Sequence, residues 1–207
     1  MPGGSLRERL RKAVADPALD SPLAGTRTAA IALILLEAEA SLEVLLIERA
    51  ERMGDPWSGH MALPGGHMDP TDADLAATAE RETWEEVGLD LRQGGERLGR
   101  VSDCTPAHGL LIAVRPFVYL LQVRPTLRLS EEVRRAFWVP VGLLQRGERR
   151  TTFHLELAGR SETFPAWDID GRLVWGLTYR VLDEFLSRFN DVSGPAAAAL
   201  DNSQQAR

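Results

Sequence analysis

Four charged residues, Arg81, Glu82, Glu85 and Glu86, crowd into the stretch RETWEEVGL. At about 100° per residue, Glu82, Glu85 and Glu86 lie three and four positions apart on one helical face, where like charges repel. The plainest reading is a solvated face on which Arg81 pairs with Glu85 at i+4. The helical wheel argues against it. Leu75 and Ala79 fall close to Glu82 and Glu86, while Ala73, Ala76, Ala77, Trp84 and Val87 cover the other side, so the helix is expected to pack on both sides. Unpaired buried charge is very costly. Arg81 can neutralise one carboxylate, and a divalent cation can neutralise the others. Carboxylate oxygens at this spacing suit Mg²⁺, Mn²⁺ or Ca²⁺.

The elements that must position these groups can be read on either side of them. A helix is expected over 73–87, with Thr71 and Asp74 resembling a capping box and Gly88 as its stop. Upstream, LPGG at 63–66 is a turn whose glycines, Gly65 and Gly66, let the backbone come close to a ligand. It ends a long loop, 50–72, too rich in Pro and Gly for a regular element. Within or beside that loop, Arg49 and Arg52 either hold phosphate groups, for which the guanidinium offers a bidentate fork, or make ordinary surface ion pairs. His60 and His67 lack partners at ligand spacing and read as structural. Trp57 either stacks on a substrate or packs the loop.

TAAIALILLEA and LEVLLIER, divided by the polar EAEAS, read as two strands around a turn. Further strands are expected around RLGRVSDC, GLLIAVRPFVYLLQV, RAFWVPV, TTFHLEL and RLVWGL. Helices are expected over 5–15, from Leu6, Leu10 and Val14, and over 176–189, from Leu177, Val181, Phe185 and Phe189. The chain thus divides into an N-terminal helix and linker (1–25), one α/β domain with mixed strands (26–190) and a disordered tail (191–207).

Together, LPGG, the intervening loop and RETWEEVGL resemble the signature of the Nudix hydrolases: a glycine, five residues, a glutamate, seven residues, then Arg-Glu-apolar-x-Glu-Glu-x-Gly-apolar. Gly66, Arg81, Glu82, Glu85, Glu86, Gly88 and Leu89 match. Thr83 replaces an aliphatic residue, and the interval from Gly66 to Arg81 is one residue longer than usual. The isolated glutamate therefore falls at Asp72 counted from Gly66, or at Ala73 counted back from Arg81. PGGHMDPTDADLAATAERETWEEVGL looks like the coenzyme A diphosphatase branch, whose upstream signature LLIER, Arg52 and GHMALPGG follow loosely. SEEVRRAFWVP and LVWGLTYRVLDEFL also resemble that branch.

The resemblance implies a Nudix-like α/β/α sandwich with a mixed β-sheet between helices. It implies Mg²⁺ or Mn²⁺ on Glu82, Glu85 and Glu86 with the Gly66 carbonyl as a further ligand. Arg81 would orient a glutamate, and Glu82 or Glu132 would be the general base. The reaction implied is hydrolysis of a diphosphate bond in a small nucleoside diphosphate derivative, coenzyme A or acyl-CoA by preference. The alternatives are ADP-ribose, a dinucleotide or a nucleotide sugar as substrate, or an inactive nucleotide-binding module. The resemblance also makes a homodimer plausible.

Composition narrows the classes further. With 30 Asp and Glu against 24 Lys and Arg in 207 residues, the chain has no concentrated positive patch for nucleic acid. No stretch is apolar enough for a membrane span or a signal peptide, and a cytoplasmic location is expected. The single cysteine, Cys104, excludes an intrachain disulfide and reads as core.

Overall fold

The computed structural model describes residues 4–14, 27–38, 41–53, 58–105, 112–157 and 160–193. Trp57, the linker before 27 and the tail from 194 lie outside the described residues. In chain order the elements are α1 (Leu6–Val14), β1 (Arg27–Glu37), β2 (Leu42–Arg49), β3 (Met61–Ala62), β4 (Gly65–His67), α2 (Leu75–Val87) and α3 (Leu91–Gly94). Then follow β5 (Glu96–Arg100), β6 (Ile112–Leu121), β7 (Val133–Pro140), α4 (Val141–Gln145), β8 (Arg150–Leu157), β9 (Arg160–Ile169), β10 (Arg172–Trp175) and α5 (Gly176–Ser193).

The unbroken apolar run of β1 makes it the centre of a mixed sheet, because a strand covered on both faces needs no polar alternation. Ala30, Ala32, Ile34 and Leu36 join Ala79 and Val87 of α2 in one core, and Ala29, Ile31, Leu33 and Leu35 join residues of α1 and α5 in the other. The result is the α/β/α sandwich expected from the sequence. β6 runs parallel to β1 along ten paired positions, and β2, β4, β5 and β7 are antiparallel to their neighbours.

β1 and β2 pair only near their turn, at Leu35–Glu37 with Leu42–Val44. Beyond it they part, and residues 61–67 fill the gap. β3 pairs with Ile47 and Glu48, β4 pairs with Ala29–Ile31, and Pro64 O accepts from Ala32 N at 2.8 Å. Gly65 takes φ +148, and a Cβ there would lie 2.3 Å from Ala30 O, so this insertion requires glycine. The wedge sets Gly65 and Gly66 against α2.

Several expectations are corrected. α2 begins at Leu75, not 73, and Asp74 alone is its N-cap, accepting from Ala77 N at 2.8 Å. Thr71 instead donates to Asp69 Oδ1. Gly88 ends the helix as expected, at φ 66, its N–H bonded to Trp84 O. The helix packs on one side only, since Trp84 is 58% exposed. α5 runs on through Ser193 and so overruns the tail boundary at 191. A whole strand, β9, was not expected, because Pro165 in its middle argues against a central strand. It joins β8 and β10 in a second sheet, anchored by fully buried Trp167 against Tyr179 of α5. Among the described residues no helix is long and apolar enough to cross a membrane.

Candidate active site

Arg81 is the hub of the site. Its Nε and Nη2 donate to the two oxygens of Asp72, each at 3.0 Å, in a bidentate pair. Its Nη1 reaches Glu82 Oε1 at 2.9 Å and Glu85 Oε2 at 3.0 Å, and its Nη2 also donates to the His67 carbonyl at 3.0 Å. Asp72 accepts further bonds from Thr78 Oγ1 and Asp69 N. The Arg81 guanidinium, ahead of these weaker donors, draws the Asp72 carboxyl down to about 2. The sequence left the isolated acidic position open between Asp72 and Ala73. It is Asp72 that turns in to the arginine, while Ala73 is exposed.

One turn on, Glu86 is 5% exposed and accepts from Gly65 N at 3.0 Å. Burial pushes its carboxyl up to about 8 against the pull of that hydrogen bond; Glu82 and Glu132 push the same way and Arg49 opposes. Glu82 is half-buried and also raised, by burial first, with Arg81 opposing. Glu82 lies so close over Gly66 that a Cβ there would sit 2.5 Å from its Cδ, so any larger residue would displace that carboxylate. Glu85 stays at the rim, 55% exposed. So one helix face divides by depth: Glu86 under the glycines, Glu82 beside them, Glu85 outside.

The loop before β7 docks on the end of α2. Ser130 N donates to Glu86 O at 2.9 Å and Arg128 N to Val87 O at 2.8 Å, occupying carbonyls that a helix C-terminus leaves without intrahelical partners. This carries Glu132 to the site from a distant stretch of sequence. Arg52 Nη1 pairs with Glu132 Oε1 at 3.1 Å, both side chains being about half exposed. Arg49 sits deeper, close enough to act on Glu86, and shares the wall of a cavity with Gly66. The charge of Glu132 reaches Glu82 and Glu86, and Arg52 joins the group through Glu132.

The histidines and the cysteine take structural places. His60 meets Trp175 edge-on at 5.0 Å, and His67 contributes its carbonyl to Arg81. Cys104 is buried, its thiol pushed up to about 12 by burial, with Sγ 3.7 Å from Val114 O. Sequence reasoning missed Glu48, a buried carboxylate held by Arg172 at 3.1 Å and Arg134 at 3.2 Å, which ties β2 to β7 and β10. Its only signal is a charge inside an apolar strand.

The donors suit a hard divalent cation: carboxylate oxygens beside a glycine turn, with the buried Glu86 in want of positive charge. Among the described residues no three His, Cys, Asp or Glu side chains are gathered as a ready metal cluster. The hydrogen bonds give the reason, since Arg81 draws on Glu82 and Glu85 while Glu86 turns to Gly65.

A mixed sheet between helix layers, with a carboxylate-bearing helix clamped under a glycine turn, defines an α/β protein with its clustered carboxylates and arginines at one corner. The NUDIX domain family matches residues 25–157, more than half of the chain, which therefore belongs to the Nudix family. Nudix hydrolases are generally dependent on divalent metal. An uncharacterised Schizosaccharomyces pombe protein, C14C4.10c, is 41% identical over 129 residues, 59% of this chain and 39% of that one. The human mitochondrial coenzyme A diphosphatase NUDT8 is 31% identical over 161 residues, 76% of this chain and 67% of its own. The chain thus spans well under half of the first relative and about two thirds of the second. The crystal structure of a MutT/nudix family protein from Enterococcus faecalis superposes with a TM-score of 0.50 at 20% identity, covering 92% of this chain and 75% of that one. This last likeness concerns the fold.

Proposed function

We propose that the chain hydrolyses the diphosphate bond of a nucleoside-diphosphate-linked metabolite with Mg²⁺ or Mn²⁺, and that its preferred substrate is coenzyme A or an acyl-CoA. The products are 3',5'-ADP and the (acyl)phosphopantetheine. The observation that carries the hydrolytic reading is the buried Glu86 carboxylate under Gly65, flanked by Glu82 and faced by Arg49. The coenzyme A preference rests on the 31% identity to NUDT8 and on the motif stretch around the glycine turn.

Glu82, Glu85, Glu86 and the Gly66 carbonyl would hold the cation. When bound, it neutralises diphosphate charge and acidifies water. The protein's own groups do the rest. Arg49 and Arg52 bind phosphate oxygens, and Gly65 and Gly66 let the diphosphate lie against the backbone. Asp72 and the His67 carbonyl fix Arg81, which orients Glu82 and Glu85. Glu82 or Glu132 takes the proton as water oxygen bonds to phosphorus and the bond to the bridging oxygen breaks, the electron pair leaving with the departing phosphate.

Chromatography of products from coenzyme A, ADP-ribose, a diadenosine polyphosphate and NADH, with MgCl₂, MnCl₂ or EDTA, tests this. Metal-dependent 3',5'-ADP from coenzyme A is expected. Cleavage of ADP-ribose with coenzyme A left intact refutes the substrate, and no cleavage of any refutes the enzyme.

A further inference from the structure

Glu48 is a carboxylate where packing alone would take an apolar side chain. Along β2, Val44 and Leu46 belong to the core shared with α5, and Leu45 and Ile47 to the core shared with α2. Alternation carries Glu48 onto the first of these faces and Arg49 onto the second. Glu48 is 7% exposed, and its two oxygens are held by Arg172 Nε of β10 at 3.1 Å and Arg134 Nη1 of β7 at 3.2 Å. A buried ion pair loses its hydration and adds little net stability over apolar side chains of the same size. Folding alone gives no reason for the charge; its place in the sheet does.

Glu48 lies at the break in the β2–β7 register. From Glu43 with Pro140 to Glu48 with Arg135 the strands pair residue for residue, and the next pair is Arg49 with Val133. Arg134 is passed over as the extra residue of a β-bulge, a feature that re-aims side chains next to active sites. The side chain of that extra residue is one of the two that grip Glu48. Just past the break, Arg49 N donates to His60 O at 3.1 Å, Arg49 O accepts from Gly59 N at 3.2 Å, and Ala50 N donates to Glu132 O at 2.8 Å. Arg49 and Glu132 are thus placed by the first backbone bonds beyond the bulge. A slip of one residue turns every following side chain to the opposite face, so losing the bulge would turn Glu132 away from Glu82 and Glu86. Arg172 completes the hold from the second sheet, its guanidinium 4.7 Å over the ring of Phe137.

We propose that Glu48 is a positioning residue: by gripping Arg134 and Arg172 it holds the bulge, and the bulge presents Arg49 to the diphosphate and Glu132 to the carboxylate cluster. What is positioned rests on the diphosphatase reading above; the clamp itself does not.

The test is a mutant cycle on whichever of coenzyme A, ADP-ribose, a diadenosine polyphosphate and NADH the wild type cleaves. Glu48→Gln keeps the shape, removes the charge and should lower kcat/KM roughly 10–100-fold. Arg134→Ala, at a side chain 50% exposed, should act in the same direction with little change in melting temperature, and it carries the same cycle should Glu48→Gln not fold. In an Arg49→Ala, Glu132→Gln background, Glu48→Gln should lower kcat/KM by under about threefold, because the groups it positions are gone. A kcat/KM for Glu48→Gln within about threefold of wild type overturns the proposal. So does a loss of full size in the doubly substituted background, the mark of general damage to the fold. Hydrogen exchange reads the clamp without turnover. In Glu48→Gln the Ala50 amide, bonded to Glu132 O, should exchange on the order of tenfold faster, while the Ala32 amide, bonded to Pro64 O, keeps its wild-type rate. Equal acceleration of both, or of neither, overturns the clamp. Should the wild type cleave none of the four compounds, the diphosphatase reading fails and exchange alone decides: acceleration confined to Ala50 supports the clamp.

Discussion

Glu86→Gln separates the electrostatics of the site from its packing. The Glu86 carboxyl ordinarily titrates at 4.5, and burial raises it to about 8. Because the folded value is the higher one, its contribution to stability is fully present below 4.5 and is lost as pH rises towards 8. At pH 7 the unfolded chain is free to ionise this group while the folded chain is held mostly protonated, a loss of about 3 kcal/mol. Glutamine copies the protonated form and can still accept from Gly65 N, so without metal the variant escapes that loss. For a chain of this size the gain at pH 7 is roughly 6–12 °C in melting temperature. The gap should close near pH 4.5 and widen towards pH 8. Added Mg²⁺ or Mn²⁺ should reverse the order, since a cation that binds only the folded wild type stabilises it alone, and activity of the variant should fall by on the order of 10²–10³-fold. Thermal unfolding from pH 5 to 8, in EDTA and with each metal, reads all of this. A gap that is absent or independent of pH refutes the buried-carboxylate argument. Equal stabilisation of both proteins by metal refutes Glu86 as a ligand.

Asp72→Asn removes one half of the bidentate clamp on Arg81. After allowing for solvent screening it should cost about 1 kcal/mol, together with roughly 10–100-fold in kcat as Glu82 and Glu85 lose their orienting group. Because the Asp72 carboxyl is lowered, its stabilisation is present above 3.8 and lost as pH falls through about 2, so the variant and wild type should converge in acid melts. Gly66→Ala puts a Cβ 2.5 Å from Glu82 Cδ and should cost roughly 10²-fold in kcat by displacing Glu82; kinetics near the wild-type value would show that Glu82 can yield without consequence. Glu132→Gln breaks an ion pair whose two members are about half exposed and should change stability by under about 1 kcal/mol. If Glu132 accepts the proton, kcat falls roughly 10²–10⁴-fold and the acid limb of the pH profile moves; a kcat within about threefold of wild type would assign the proton to Glu82.

Much of this protein is written in local sequence. Spacing along one helix sets Glu82, Glu85 and Glu86 on one face, because helical pitch depends on nothing outside the helix. The apolar run of β1 reads as a strand, Gly88 as a helix stop and Cys104 as core, all from residue type and near neighbours. What the sequence could not settle depends on partners far away in the chain. Two counts of the motif pointed to Asp72 or Ala73, and only the folded loop shows Asp72 on Arg81. The wheel implied a helix packed on two sides, and only the sheet beneath it shows which side is covered, leaving Trp84 outside. Glu132 reaches the site through backbone bonds from Arg128 and Ser130 to the end of α2, which no spacing rule anticipates. β9 stayed hidden because its proline speaks against a strand until β8 and β10 flank it. Periodicity and capping are short-range and survive in the sequence. Depth, charge compensation and the cavity behind Gly66 arise from long-range packing and belong to the tertiary structure alone.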